Sequence, residues 1–556
     1  MKISYIWVDK YKGFTDFAIN LASDKRFSYN QDSCSLNMMD NEDYIANLFS
    51  TKITDVTAIV GKNGVGKTNC LELICTILEG TMRQYNTSFL AIVEDDEKKY
   101  TIYHNLEQGI EANFEYKYES DKNKIKGIRG VFFSNIHDNR RYNFGREITY
   151  ATSNNNYGYR NYSSSGDKVN LLSSQIDLIT KHRTILKNEI KISIPTSLGI
   201  DLYVFSEKLD FEDGQNFTSL VRKRIKDIVN PKNKFIYSLK YMFLVKLINN
   251  ISNDFEKKYL EQINFESMDN ESTDLYLQKI GEQVSGCIAE IIDGYKIDSK
   301  RHEKYSDLQA GFSDFSKIEN NLNTINPIIN NTVSGFSSYT RYTIEVSEKN
   351  LEVIKDINYL FGKRGDFRAD WEGVSSGSKA YLTLFTVLRE RLKNVRTDTL
   401  ICIDEGDLYL HPSWQIDFLN NLNKMLPNFS NYNIQLVLTS HSPFLLTDLP
   451  HSNVIILEEE SVLLSENKDV RTFGSNIYDL YSTIFFLDNQ RYGTFATNHI
   501  KNIIRKISSR SYSNLEKEEI NKFINMIGDK FLHNQLKAML YENESTSRIN
   551  EGIEND

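Results

Sequence analysis

The chain is 556 residues long, carries a net charge of −9, and is 40% hydrophobic and 25% charged. That size and balance describe a globular protein with room for two or more domains and a large core. The acidic total disfavours wholesale nucleic-acid binding, and no run of about 18 apolar residues is present to span a membrane as a helix.

The N-terminus, MKISYIWVDKYKGF, alternates as a strand does and lacks the apolar core of a signal peptide, so a cytoplasmic location is expected. The five cysteines (Cys34, Cys70, Cys75, Cys287, Cys402) include no C-x-x-C pair and no histidine at metal spacing. They read as reduced thiols. Residues 1–160 read as an α/β lobe, with strands at Ile3–Val8, Val56–Val60, Phe89–Val93 and Gly130–Ser134 and a helix after Lys67. Residues 161–335 turn Asn/Lys-rich, and LLSSQIDLITKHRTILKNEI and FIYSLKYMFLVKLINN space apolar residues three or four apart. This predicts a helical insertion, broken too often for a long coiled coil. A second α/β lobe is expected over 336–465, starting with YTRYTIEV. A helical region follows over 466–556, and its polar end, LYENESTSRINEGIEND, is expected to be disordered.

The sharpest motif is VTAIVGKNGVGKT at 56–68. An apolar strand runs into Gly61, and Gly64, Gly66, Lys67 and Thr68 complete G-x-x-x-x-G-K-[ST]. Glycines let backbone N–H groups turn around a phosphate, Lys67 reaches the β/γ oxygens, and the Thr68 hydroxyl can ligate Mg²⁺. The next residues, NCLELICTILEG, supply a helix whose N-terminus faces the phosphates. ATP and Mg²⁺ are the ligands expected.

Two further apolar strands end in polar residues. TLICIDEG places Asp404 to hold Mg²⁺ and Glu405 to polarise an attacking water, at the strand end where ligands bind in parallel sheets. IQLVLTSHSP places His441 where it can sense the γ-phosphate and bond to Glu405. About 25 residues before Asp404, the turn Val374-Ser375-Ser376-Gly377-Ser378-Lys379 opens an apolar helix whose N-terminus could hold an anion.

These motifs, in this order, resemble those of ABC-type ATPases. The Lys62-Asn63-Gly64 loop with Asn69, and Leu410-His411-Pro412 after the acidic strand, resemble the SMC-like, RecF-like and OLD-like branch. The resemblance implies an α/β P-loop ABC-type core split by a helical insertion. It aligns Ser376 and Gly377 with the signature motif, with Ser378 and Lys379 as departures. It further implies a head-to-tail homodimer, or a higher oligomer, in which each signature caps the partner's nucleotide. Asn63 joins the nucleotide-binding set, and Ser134 or Asn135 is the candidate for the position usually held by a metal-sensing glutamine.

YKGFTDF near the N-terminus, the short insertion and residues 472–505 resemble the PtuA ATPases of Septu anti-phage systems, some of which are carried by retrons. That family implies a partner HNH-type nuclease and, in a retron, a reverse transcriptase with its RNA–DNA product. An SMC-like or RecF-like DNA-repair ATPase and a transporter ATPase subunit are the alternatives. An intrinsic nuclease is not expected: Glu458-Glu459-Glu460 lacks a following glycine, and no D-x-D occurs downstream. Two basic clusters, Arg140/Arg141/Arg146 and Arg222/Lys223/Arg224/Lys226, are candidates for sequence-blind phosphate contacts or simply solvated faces.

Overall fold

Runs such as VTAIVG, LICID and QLVLT are apolar on both faces, the composition of strands covered on both sides. In the computed structural model they become the centre of a seven-stranded sheet. Its order is Thr149–Thr152, Ile128–Ser134, Asp398–Asp404, Ile434–Thr439, Ile53–Gly61, Val454–Glu458 and Ser461–Leu463. Neighbours are parallel throughout, except for the last hairpin. The structure describes residues 1–120, 124–135, 148–152, 171–204, 209, 211–251, 258–266, 271–295, 299–333, 339–361, 367–458, 461–463, 471–484, 492–509 and 512–553.

The register brings strand ends level: Asp404 lies between Ser134 on one side and Thr439 on the other. Parallel pairing therefore delivers three polar strand ends to one edge of the sheet, the edge where ligands bind in such sheets.

Helix Lys67–Leu78 is apolar nearly all round, and Cys70, Leu71, Leu73, Ile74, Cys75, Ile77 and Leu78 are all buried. It is covered on one side by the parallel sheet and on the other by a second sheet, ordered Phe14–Asn20, Lys2–Tyr11, Phe89–Glu94, Tyr100–His104, Tyr116–Ser120. Each fully buried Leu or Ile contributes about 1.5–3 kcal/mol relative to exposure, so this sandwich fixes where the phosphate loop points. Gln435 stitches the two sheets: its Oε1 accepts from the Ile3 N–H at 2.9 Å, and its Nε2 donates to the Ile3 carbonyl at 2.8 Å. Four of the five cysteines are buried and all are free. Burial pushes the Cys70 and Cys75 thiols well up, the opposite of a reactive thiolate.

Residues 161–335 contain the helices Glu212–Asp227, Pro231–Asn250, Thr273–Gly294 and Ser299–Leu322, packed on one another. Phe243 stacks on Phe315 at 4.3 Å between them. The segment is not all helical. Ser197–Leu202 is a strand between Tyr339–Glu345 and Phe367–Glu372 in a four-stranded antiparallel sheet whose edge is Ile328–Val333. The buried apolar residues Leu198, Ile200 and Leu202 alternate in sequence with Ser197, Gly199 and Asp201, a period of two too short to stand out amid helical sequence. Arg341 crosses Gly199 to pair with Asp201 and Glu372, both at 3.0 Å.

A second compact unit comprises Tyr478–Asp556. Helices Thr494–Ser509, Asn514–Met526 and Lys530–Ile553 share the buried residues Ile507, Ile520, Ile524, Leu536 and Leu540. The polar tail expected to be disordered has a helical backbone as far as Ile553. Among the described residues no helix is long and apolar enough to cross a membrane.

Candidate functional site

The phosphate loop is shaped by backbone crowding. Gly61 pairs with Leu457, and a Cβ there would sit 2.3 Å from the Leu457 carbonyl oxygen. Gly66, at φ 96°, caps helix Lys67–Leu78, and a Cβ would meet the Phe14 ring at 2.8 Å. Glycine is the residue that fits both positions. Asn63 and Gly64 are exposed at the crest, while Val65 is buried beneath them. The buried Lys67 side chain lies under the loop, its Nζ donating to the carbonyls of Lys62 at 2.9 Å and Gly61 at 3.1 Å. Burial lowers its pKa to about 8, against the opposing pull of Glu405 and Asp404.

Asp404 is fully buried and accepts two hydroxyl donors: Thr439 at 2.6 Å, and Thr68 at 3.1 and 3.2 Å to its two oxygens. Burial pushes its pKa up to about 6, with Glu405 adding repulsion and the two threonines opposing. Thr439 also accepts the Glu405 N–H at 3.0 Å, so one hydroxyl fixes both acidic residues. Sequence reading gave Thr439 no role. The signal was its place at the end of the neighbouring strand, level with Asp404.

Glu405 adopts a left-handed backbone, φ 50°, which is rare and costly for a residue with a Cβ. The turn aims its carboxylate at His441, whose Nε2 lies 3.1 Å from Oε1. That contact lowers the Glu405 pKa against the effect of burial. The other ring nitrogen, Nδ1, is 3.5 Å from Lys67 Nζ. Phosphate-loop lysine, acidic pair and histidine thus form one connected cluster.

Ser376 and Gly377 begin helix Ser376–Leu392, which is capped by Ser375, its Oγ accepting from the Ser378 N–H at 3.2 Å. Gly377 packs on Trp414, and Tyr381 on the same helix donates to the Trp414 carbonyl at 2.9 Å. The two residues that depart from the signature pattern are accounted for locally. Ser378 is buried against Ser375 at 3.0 Å, and Lys379 pairs with Asp370 at 2.5 Å.

Ser134 and Asn135 are buried beside the acidic strand, and Asn135 Nδ2 donates to the Gly406 carbonyl at 3.0 Å. Arg140, Arg141 and Arg146 lie outside the described residues, as do Glu459 and Glu460. Arg222, Lys223 and Lys226 are exposed on helix Glu212–Asp227, while Arg224 donates to the Glu271 carbonyl at 2.8 Å and lies over the Tyr276 ring.

A magnesium nucleotide fits this donor set. No group of three or more His, Cys, Asp or Glu that could hold an ion occurs among the described residues. Mg²⁺, however, commonly takes one or two protein oxygens together with phosphates and water, and Thr68 and Asp404 are the residues that would provide them. A family model described as AAA ATPase domain matches residues 1–446, four-fifths of the sequence. The chain belongs to the AAA ATPase domain family.

This ATPase-domain protein is similar to "Septu protein PtuA" of Bacillus mycoides (strain KBAB4), 29% identical over 122 residues, which cover 21% of this chain and 16% of the relative. It is also similar to "Retron Vc95 probable ATPase" of Vibrio cholerae serotype O1 biovar El Tor, 31% identical over 117 residues, 19% of this chain and 21% of that one. A third relative is "Retron Ec83 probable ATPase" of Escherichia coli, 31% identical over 93 residues, 15% of this chain and 16% of that one. The matched stretches span about a fifth or less of the length of these relatives.

Proposed function

We propose that the chain binds ATP with Mg²⁺ and hydrolyses it to ADP and phosphate, as the ATPase subunit of an anti-phage defence system of the Septu or retron kind. The observation that carries the hydrolytic reading is the convergence of Lys67, Thr68, Asp404, Glu405 and His441 at one sheet edge. The names of the relatives support the defence role.

In this reading the backbone N–H groups from Gly61 to Gly66, with Asn63 and Gly64 at the crest, surround the phosphates. Lys67 exchanges its two carbonyl partners for β/γ oxygens. Thr68 and Asp404 hold the metal, which, when bound, neutralises charge developing on the transferred phosphoryl group. Glu405 orients and polarises the attacking water. His441 holds Glu405 in place and contacts the γ-phosphate. Asn135, buried beside the acidic strand, is the better of the two candidates for the metal-sensing position.

Ser376 and Gly377 of one copy cap the nucleotide of another, so the active unit is a head-to-tail dimer or a larger assembly built from it. The protein works in the cytoplasm and controls a partner HNH-type nuclease, to which cutting is assigned. In a retron setting, the reverse transcriptase and its RNA–DNA product join the complex. The deciding experiment is Mg²⁺-dependent phosphate release by the purified protein, with Lys67→Ala as control. Activity that vanishes in the variant supports the reading; an inactive wild type or an active variant overturns it. Co-purification with an HNH nuclease encoded beside the gene tests the partner.

A further inference from the structure

The loop after Glu405 and the loop carrying His441 are joined by a closed hydrogen-bond circuit that none of the nucleotide-contacting roles requires. Asp407 is 3% exposed and Ser440 is fully buried. Ser440 Oγ donates to Asp407 Oδ2 at 2.6 Å and accepts the Ser442 N–H at 2.8 Å. Ser442 Oγ donates to Gln415 Oε1 at 2.8 Å. Gln415 Nε2 returns to the starting loop, donating to the carbonyls of Asp407 at 3.2 Å and Leu410 at 3.1 Å. Gln415 is presented by the short helix Pro412–Gln415, which His411 caps.

Both reacting side chains need such support. Glu405 sits in a left-handed backbone conformation beyond its strand, and His441 lies beyond the end of its own strand, between the two serines of the circuit. Neither is held by the sheet ladder. We infer that Asp407, Ser440, Ser442 and Gln415 form a positioning network that sets His441 opposite Glu405 during ATP hydrolysis. The network rests on the ATPase reading above and acts only through the His441–Glu405 pair.

A single buried hydrogen bond contributes too little stability to define activity alone. A displacement of about 1 Å at a reacting pair, by contrast, costs on the order of 100-fold in rate. Asp407 and Ser440 are the two ends of one hydrogen bond between the loops, so deleting both removes no more of that link than deleting either, and their effects should not multiply.

The test uses the full chain, with steady-state ATPase, ATP-binding stoichiometry and thermal unfolding for each variant. Ser440→Ala, Asp407→Ala and Gln415→Leu should each lower kcat roughly 10–100-fold, with KM for ATP within about twofold and full ATP stoichiometry. Asp407→Asn, which keeps an acceptor for Ser440, should recover most of the activity. The double variant Asp407→Ala/Ser440→Ala should be no slower than either single one. In a His441→Ala background Ser440→Ala should have no further effect, a result that a merely structural role would not produce. Wild-type rates in the single variants, or a further loss in the His441→Ala background, would overturn the inference. Should Asp407→Ala fail to fold, Gln415→Leu at the rim of the circuit carries the same test. Failure of the ATPase reading shows separately, as an inactive wild type.

Discussion

Asp404→Asn isolates the cost of holding a carboxylate at the end of the central strand. The wild-type side chain is fully buried and its pKa is pushed up from 3.8 to about 6, mainly by burial. The sign follows from linkage. With the folded value above the unfolded one, folding favours the protonated acid, so stability falls as pH rises through the window from about 4 to 6. At about 1.4 kcal/mol per pKa unit, the ionised carboxylate destabilises the ATP-free protein by about 3 kcal/mol at pH 7.5. Asparagine has the same shape, carries no charge, and can still accept from Thr439 or Thr68. Urea unfolding in EDTA should therefore show Asp404→Asn more stable by up to about 3 kcal/mol at pH 7.5, by roughly half that at pH 5, and by almost nothing below about pH 4. Mg²⁺-dependent ATPase should be lost in the same variant. The reasoning is refuted if the variant is less stable at pH 7.5, or if its advantage does not shrink with acid. The first result would mean that the two threonine hydrogen bonds outweigh desolvation, the second that the cost does not come from ionising Asp404.

Lys67, with a pKa lowered to about 8 by burial, must be protonated to meet a phosphate. ATP affinity measured by titration should weaken about tenfold between pH 7 and 9, and a flat profile would contradict the placement of Lys67. His441→Ala removes the contact that lowers the Glu405 pKa. It should move the acid limb of the kcat/KM profile to higher pH as well as reduce the rate, and an unmoved limb would sever that pair. Gly61→Ala drives a Cβ against the Leu457 carbonyl, whereas a Cβ at Gly64 meets nothing within 4 Å. ATP binding and about 2–4 kcal/mol of stability should be lost in the first, against about 1–2 kcal/mol from backbone strain alone in the second. Equal behaviour of the two would show that crowding by Leu457 does not shape the loop.

Much of the candidate site was legible in the sequence because its residues sit at strand ends. A buried parallel strand reads as an apolar run, and the polar residues at its end mark the ligand edge; Asp404 closes its run directly, and His441 stands two residues past Thr439, which closes the next. Thr439 was visible but carried no assignment, since its role depends on register, which one strand cannot reveal. The same holds for Asp407 and Gln415, eight residues apart in sequence and joined only by the fold of the loop between them. Ser197–Leu202 was hidden for another reason. Six residues of alternation amid helical sequence provide too few periods to outweigh their surroundings, and only pairing with Tyr339–Glu345 and Phe367–Glu372 makes them a strand.

The central claim is that Glu405 drives hydrolysis of an ATP held between two copies of the chain. Glu405→Gln keeps the size of the side chain and its contact with His441 but removes the negative charge that polarises water. Incubated with ATP and Mg²⁺, this variant should elute as a dimer by light scattering, with one unhydrolysed ATP per chain and no phosphate release. Ordinary turnover, or a chain that binds ATP and remains monomeric, would contradict the account.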